Sequence, residues 1–292
     1  MIPLISNRVK FIEAPDRGRF PYAHSLFIDD EIRVLIDTAC GEENIKYFLD
    51  HPPDIILNTH FHEDHIMNNH KFHSAQIWAH SLDAPAIRSE EVFFEFYGFH
   101  YFGAERIGRL FYEWTGAKPS PVHQELQGGQ ILDFGKTKVQ LIHAPGHTPG
   151  HCCFLFEDDI LFTADIELGS FGPWYGHWCS DIDDFIASIE LCQEINPSII
   201  VTSHRGIIKD KIQKRLQDYV NIIYRKEEKV LSSLKQQPMN LDQLTELQIY
   251  HGEIKEFFRL FKMWEKMAMH THLKRLIKLG LVEKAEDCYY AK

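Results

Sequence analysis

Asn58-Thr59-His60-Phe61-His62-Glu63-Asp64-His65 sets three histidines and the carboxylate of Asp64 within six positions, directly after the apolar run Asp54-Ile55-Ile56-Leu57. That run has the length and branched content of a buried strand, so the cluster falls at a strand end. Side chains two apart on an extended segment project to the same side. His60 and His62 can therefore grip one ion together, whereas Asp64 and His65 come into reach only after the chain turns. One segment can thus serve two adjacent metals. A single histidine is more often a surface or satisfied core residue, but four ligand-type side chains in one strand-end loop make that reading poor.

Three further candidates lie downstream, each just after a strand-like run: His147 in Ala144-Pro145-Gly146-His147-Thr148-Pro149-Gly150, Asp165 in Phe162-Thr163-Ala164-Asp165, and His204 in Thr202-Ser203-His204-Arg205-Gly206. The glycines and proline around His147 suit a tight loop that holds a ligand at a strand end. Taken in order, these pieces resemble the His-x-His-x-Asp-His signature and the later ligands of the metallo-β-lactamase superfamily, over residues 60 to 204.

That resemblance implies an α/β fold, a four-layer αββα sandwich over residues 1–210. It assigns His60, His62 and His147 to a first metal, Asp64, His65 and His204 to a second, and Asp165 to a bridge, with Asp64 also catalytic. A donor set of imidazole and carboxylate without thiolate suits two divalent ions, zinc first, with iron or manganese as alternatives. Two ions roughly 3.5 to 4 Å apart can share a hydroxide near neutral pH and polarise a C=O or P–O bond. No protein nucleophile is then required, in keeping with the absence of a Gly-x-Ser-x-Gly motif. The expected activity is hydrolysis of an ester-type bond, a thioester or lactone, as in glyoxalase II-like proteins. The alternatives are an endoribonuclease or phosphodiesterase of the same fold, or a mononuclear-iron persulfide dioxygenase. The flavin-linked di-iron oxidoreductases of the superfamily carry a glutamate where this chain has His62. The family commonly has two glycines after the first motif, where this chain reads Ile66-Met67-Asn68-Asn69-His70.

The chain has 292 residues and 44 % apolar content, enough for two domains at about 150 residues each. No run reaches the roughly 18 to 20 apolar residues of a membrane span, and Met1-Ile2-Pro3-Leu4-Ile5-Ser6 lacks a secretory pattern. The expected location is cytoplasmic. The six cysteines form no Cys-x-x-Cys pair, so reduced thiols fit better than disulfides or a structural zinc site. Charge is divided: residues 1–212 carry 16 Lys/Arg against 31 Asp/Glu, and residues 213–292 carry 15 against 11. An acidic catalytic part is a poor nonspecific binder of nucleic acid.

Strands are expected at 24–28, 32–36, 76–79, 130–133, 138–142, 153–156, 160–162 and 198–201, with helices at 41–50 and after a capping Asp181. Between Phe93 and Trp114 lie ten aromatics, in an insertion at about 83–120. Its aromatics either line an apolar substrate pocket under a helical lid or form a packing surface, including one for a homodimer. Tyr175, His177 and Trp178 follow the bridging Asp165, and the Tyr175 hydroxyl is a candidate donor to an oxyanion. From Ile212 the pattern is helical to Pro238, followed by Leu241–Leu244, by Lys255 to Met269, by His270 to Leu279, and by strand-like Leu281–Lys284 and Cys288–Tyr290. Residues 211–292 thus read as a winged-helix-like module. Lys274, Arg275 and Lys278 would be its basic face. Three or four cations are few for a DNA site. The expected order of roles for this module is a wall for a small acyl substrate, then RNA positioning, then duplex DNA.

Overall fold

The computed structural model describes residues 8–157, 159–253 and 259–292. Two six-stranded sheets form its centre. The first runs in chain order through β1 (Val9–Ile12), β2 (Ser25–Ile28), β3 (Val34–Ile36), β4 (Ile55–Leu57), β5 (Gln76–His80) and β6 (Gln124–Leu126). Its β1–β2–β3 pairs are antiparallel and its β3 to β6 pairs parallel. The second contains β7 (Ile131–Asp133), β8 (Lys138–His143), β9 (Cys152–Phe156), β10 (Ile160–Ala164), β11 (Ile199–Thr202) and β12 (Gly206–Ile208), also side by side in chain order. Here only β10 and β11 are parallel.

Period-two alternation explains the layering. Leu26, Ile28, Val34, Ile36, Ile55 and Leu57 of the first sheet meet Val139, Leu141, Phe154, Phe162 and Val201 of the second in one core. The alternate residues Phe27, Leu35 and Ile56 face outward and are covered by Ile45 and Phe48 of α1 (Glu42–Asp50). On the far side Cys153, Leu161 and Ile200 share a core with Phe185, Ile189, Leu216 and Ile223. Both faces of the central strands are therefore apolar, as buried sheets require.

Between β4 and β5 lies α2 (Glu63–Ile66), one turn of helix within the histidine motif. The insertion supplies α3 (Ala84–Arg88), α4 (Glu90–Tyr97) and α5 (Glu105–Thr115). Phe93, Tyr97, Phe99, Phe111 and Tyr112 are buried in the same cluster as Phe61, while Tyr101 and Trp114 are exposed. Most of the insertion's aromatics thus serve packing over the motif. In α6 (Ile182–Ile195) Asp181 caps the first turn by accepting from Asp183 N at 2.9 Å and Asp184 N at 3.2 Å.

Past the sandwich come α7 (Ile212–Gln236), α8 (Leu241–Glu246), α9 (Arg259–Lys278) and the hairpin β13 (Val282–Ala285) with β14 (Cys288–Ala291). The helices expected at 255–269 and 270–279 are one continuous α9 over the described residues, because no glycine or proline interrupts them; residues 255–258 lie outside the described residues. Arg275 bonds Asp183 and Glu227, both at 2.5 Å, Lys278 reaches Asp183 at 2.6 Å, and Lys274 reaches Asp181 at 3.5 Å. Of that basic face only Arg275 is held between α6 and α7, while the Lys274 and Lys278 side chains remain largely exposed. No helix among the described residues is long and apolar enough to cross a membrane.

Candidate metal centre

Every proposed ligand sits at the same end of the sandwich, delivered by both sheets. His60, His62, Asp64 and His65 follow β4; His147 follows β8, Asp165 β10 and His204 β11. Ligand atoms of His60, His62 and His147 lie within 4.8 Å of one another, as do those of His60, His65 and Asp165, and those of Asp64, His65 and His204. The seven residues thus converge on overlapping groups linked through His60, His65 and Asp165.

Four of the five candidate rings are held from behind, at His60, His65, His147 and His204, while His62 Nδ1 faces His60 Nε2 at 3.0 Å. His147 Nδ1 donates to the Trp174 carbonyl at 2.8 Å, and His204 Nδ1 to Gly18 O at 2.6 Å and Tyr22 O at 3.1 Å. Asp37 is the hub beneath the motif: it accepts from Thr59 N at 2.9 Å and Thr59 Oγ1 at 2.7 Å, and its Oδ2 lies 2.8 Å from His65 Nδ1. Because the Thr59 hydroxyl spends its proton on Asp37, it accepts from His60 Nδ1 at 2.9 Å. Such partners fix the tautomer and aim the remaining nitrogen inward.

That assignment tests whether a metal fits. With Nδ1 of His60 and His147 both donating outward, the two Nε2 atoms that approach to 3.2 Å each present a lone pair to the other. This is not a hydrogen bond; a cation between them removes the conflict. His65 Nε2 and Asp165 Oδ1 lack a hydrogen-bond partner among the described residues, and they stand 3.1 Å apart. Burial opposes a charge on His204, yet Asp165, Glu167 and Asp64 outweigh it and push its pKa up to about 10. For His60 and His62 burial and neighbouring rings depress the pKa well below the usual histidine range. One half of the cluster demands positive charge and the other refuses protons, the pattern that divalent cations with nitrogen and oxygen ligands satisfy.

The loops that carry these ligands are tied to each other. Asp83, at the start of the insertion and fully buried, accepts from Phe61 N at 3.1 Å and Thr148 Oγ1 at 2.6 Å, and from Gly150 N at 2.6 Å. It joins the first motif to the His147 loop. Gly146, at φ 119°, passes so close to α6 that a Cβ would lie 2.2 Å from Phe185 N. Where the family has glycines, the Asn69 amide pairs with Asn58 at 2.8 Å and accepts from Thr38 Oγ1 at 2.9 Å, so an amide clasp replaces close packing. His151 donates to Ala144 O at 3.0 Å and accepts from Asp165 N at 3.3 Å, a supporting place behind the ligands.

Tyr175 is placed differently from expectation. Its hydroxyl lies 2.9 Å from His272 Nε2 on α9, its amide donates to Tyr250 OH at 2.9 Å, and the side chain is fully buried. It anchors the C-terminal helices to the loop after Asp165 and cannot offer its hydroxyl to an oxyanion at the metal cluster. Residues that the sequence did not single out include Asp83, Glu167 and Trp264. Glu167 joins Asp165 and His204 in a fourth ligand-type group and accepts from His204 N at 3.0 Å. Its separation of two from Asp165 is the one signal that could have found it.

Two packed sheets with a histidine and aspartate cluster at one end define a metallohydrolase-type sandwich. A family model for the metallo-beta-lactamase superfamily matches residues 18–204, and the chain belongs to that superfamily. It is similar to the beta-lactamase-like protein 2 homolog of Drosophila melanogaster, 25 % identical over 278 residues that cover 87 % of this chain and 82 % of that one. It is also similar to the atrochrysone carboxyl ACP thioesterase of Aspergillus fumigatus, 27 % identical over 47 % of this chain and 44 % of that one. The thioesterase of the same name from Pseudocercospora fijiensis is 26 % identical over 70 % of this chain and 53 % of its own length. The chain thus spans about half the length of those thioesterases. Among solved structures, a metallo-beta-lactamase family protein of Thermus thermophilus superposes with a TM-score of 0.78 at 20 % identity, covering 99 % of this chain and 100 % of that one.

Proposed function

We propose that the chain is a binuclear metal-dependent hydrolase of ester-type bonds, with a thioester as the first substrate class and a lactone as the second. The observation that carries this reading is the set of overlapping ligand groups around Asp165, in which facing lone pairs and an unpartnered carboxylate oxygen would be balanced by cations. Its support on the substrate side is the similarity to proteins named ACP thioesterases. In the proposed assignment His60, His62 and His147 would hold one ion and Asp64, His65 and His204 the other, with Asp165 shared between them. Two divalent ions there would supply Lewis acidity and a water activated for attack. The chain itself fixes the imidazole tautomers through Asp37, Thr59, Trp174 and the carbonyls of Gly18 and Tyr22, and walls the site with aromatic rings. We further assign residues 1–210 to a catalytic domain and 211–292 to a winged-helix-like module, whose order of helices and hairpin fits that arrangement. The module acts in this reading as a wall of the site, since Trp264 of α9 packs on Trp174 at 5.2 Å between ring centroids and His272 of α9 bonds the Tyr175 hydroxyl.

The test is turnover of short acyl thioesters, lactones and single-stranded RNA by protein stripped with chelator and then reloaded with zinc, iron or manganese. Thioester hydrolysis that disappears on stripping, returns on reloading and is abolished in Asp165→Ala is expected. RNA cleavage without thioester turnover would replace this reading by the nuclease one, and oxygen uptake on persulfides with one iron per chain by the dioxygenase one.

A further inference from the structure

After β10 the chain reads Asp165-Ile166-Glu167, and Ile166 between the two acids is buried in a core with Phe185 of α6 and Leu216 of α7. The carboxylates on either side of it gather with His204 instead: ligand-type atoms of Asp165, Glu167 and His204 lie within 4.8 Å of one another. Glu167 is held there at two points. Its amide donates to the hydroxyl of the buried Tyr219 on α7 at 3.2 Å, and its Oε1 accepts from His204 N at 3.0 Å. Its second oxygen, Oε2, is buried without a hydrogen-bond partner among the described residues. His62 Nε2, His65 Nε2 and Asp165 Oδ1, three atoms of the proposed ligands, are open in the same way.

A buried carboxylate oxygen is ordinarily paired, and leaving one open costs its desolvation. The spacing of its neighbours shows what could pair it. His204 Nε2 stands 3.6 Å from Asp165 Oδ1 and 3.5 Å from Asp64 Oδ2, and His65 Nε2 stands 3.1 Å from Asp165 Oδ1. Donors bound at about 2.1 Å to one ion, at tetrahedral or octahedral angles, are roughly 3.0 to 3.5 Å apart. These are therefore close to the spacings of donors around a common cation, and Glu167 adds a carboxylate on the His204 side of it. The two metal positions then differ in kind. One has three imidazoles, from His60, His62 and His147, with a share of Asp165; the other has two imidazoles and up to three carboxylates. Imidazole-rich, four-coordinate sites suit zinc, while carboxylate-rich sites with more ligands suit harder ions such as manganese.

We propose that Glu167 is a further metal ligand, on the ion held from the His204 side, and that it makes this position the harder of the two, suited to manganous or ferrous ion where the histidine-rich position suits zinc. This rests on the binuclear reading and deepens it. Because Tyr219 holds the Glu167 amide, α7 of the C-terminal module takes part in setting the choice of metal.

The test uses full-length protein stripped with chelator, given one equivalent of zinc and then titrated with manganous ion, with the free-ion signal followed by electron paramagnetic resonance. The wild type is expected to bind one further ion per chain. Glu167→Gln keeps a side-chain carbonyl for His204 N, so its fold should persist, as near-UV circular dichroism checks. It is expected to bind manganese at least tenfold more weakly, with affinity for the first zinc unchanged in a chelator competition and a smaller loss when zinc is titrated into the second position. Equal manganese affinity in the two proteins, an equal loss at both positions, or a zinc loss as large as the manganese loss overturns the proposal. A third bound ion that Glu167→Gln removes while two remain overturns it in favour of a separate site. A wild type that takes up no second ion defeats the binuclear reading and this ligand with it, whereas two ions bound equally well by the variant remove Glu167 alone.

Discussion

Asp83 shows how much a single side chain can hold at this site. Its two oxygens accept three hydrogen bonds, from Phe61 on one side of it in sequence and from Thr148 and Gly150 far along on the other, with no water-exposed surface to substitute for them. Asp83→Ala leaves the Phe61 and Gly150 amides unpaired, and each buried unpaired donor costs about 1 to 3 kcal/mol. A loss of about 2 to 4 kcal/mol in denaturant unfolding, together with weaker zinc retention in a chelator competition, is the expected result. Lys226 gives a prediction of pH dependence. It is buried, donates to Phe171 O at 3.0 Å and lies over the Phe171 and Tyr250 rings; burial, only partly opposed by Glu265, pushes its pKa down to about 7. Between that value and the ordinary lysine range near about 10.4 the unfolded chain holds the proton and the folded chain does not, so stability rises with pH through this window. Below it the penalty is fully present. Lys226→Met should flatten the slope of unfolding free energy between about pH 7 and pH 10 by up to about 1.4 kcal/mol per pH unit, read from denaturant midpoints across buffers.

At this scale the sequence reveals the candidate ligands better than the residues that support them. Histidines and aspartates at strand ends stand out because few other roles put so many there. Asp83 does not, since within Ser81-Leu82-Asp83-Ala84-Pro85 it looks like any helix-starting aspartate, and its work depends on two loops meeting in space. The same is true of Trp264, whose open N–H is visible only after its neighbours are known. Tyr175 is the converse case: its position in the chain suggests the site, while its side chain faces His272.

Among the elements, α9 departs furthest from expectation. Periodicity alone breaks it near His270 and gives it a face for phosphates; in the fold it runs unbroken over Arg259–Lys278 and turns Arg275 into a partly buried bridge between Asp183 and Glu227. Removing one partner of such a pair strands the others, so Arg275→Ala should cost about 3 kcal/mol. The triple change of Lys274, Arg275 and Lys278 to Glu should lower the melting temperature markedly and leave retention on duplex DNA at physiological salt unchanged and negligible. Thermal scans and a binding titration on the same preparations check both halves. The strands β2, β3, β5 and β8 to β11 are legible because alternation or apolar runs mark buried strands. The strands β1, β6 and β12 are not, although the edge strand β7 is: Gln124-Glu125-Leu126, for instance, is three residues long and mostly polar, so pairing with β5 alone makes it a strand.

For the whole molecule, the sandwich and its ligand end are readable from motif order, whereas the C-terminal placement is not, because charge counts do not say which acid a lysine will face. If two ions bind the folded chain and not the unfolded one, stability follows free metal as RT ln(1 + [L]/Kd) for each site. Melting temperature should therefore climb with free zinc, each filled site adding about 4 kcal/mol of stability at a thousandfold excess over its Kd, and the Asp165→Ala protein should respond less.

The proposed ligands are shared between halves of the chain: four come from the loop after β4 of the first sheet and three from loops of the second. A cobalt ion used in place of zinc therefore becomes a clock for assembly. Neither sheet by itself offers the full set, so the visible absorbance of tightly coordinated cobalt should appear in stopped-flow refolding only when the halves dock, at the same rate as burial of the core between them. An absorbance that developed earlier would mean that the first loop captures metal alone and that the second half then closes over an ion already in place.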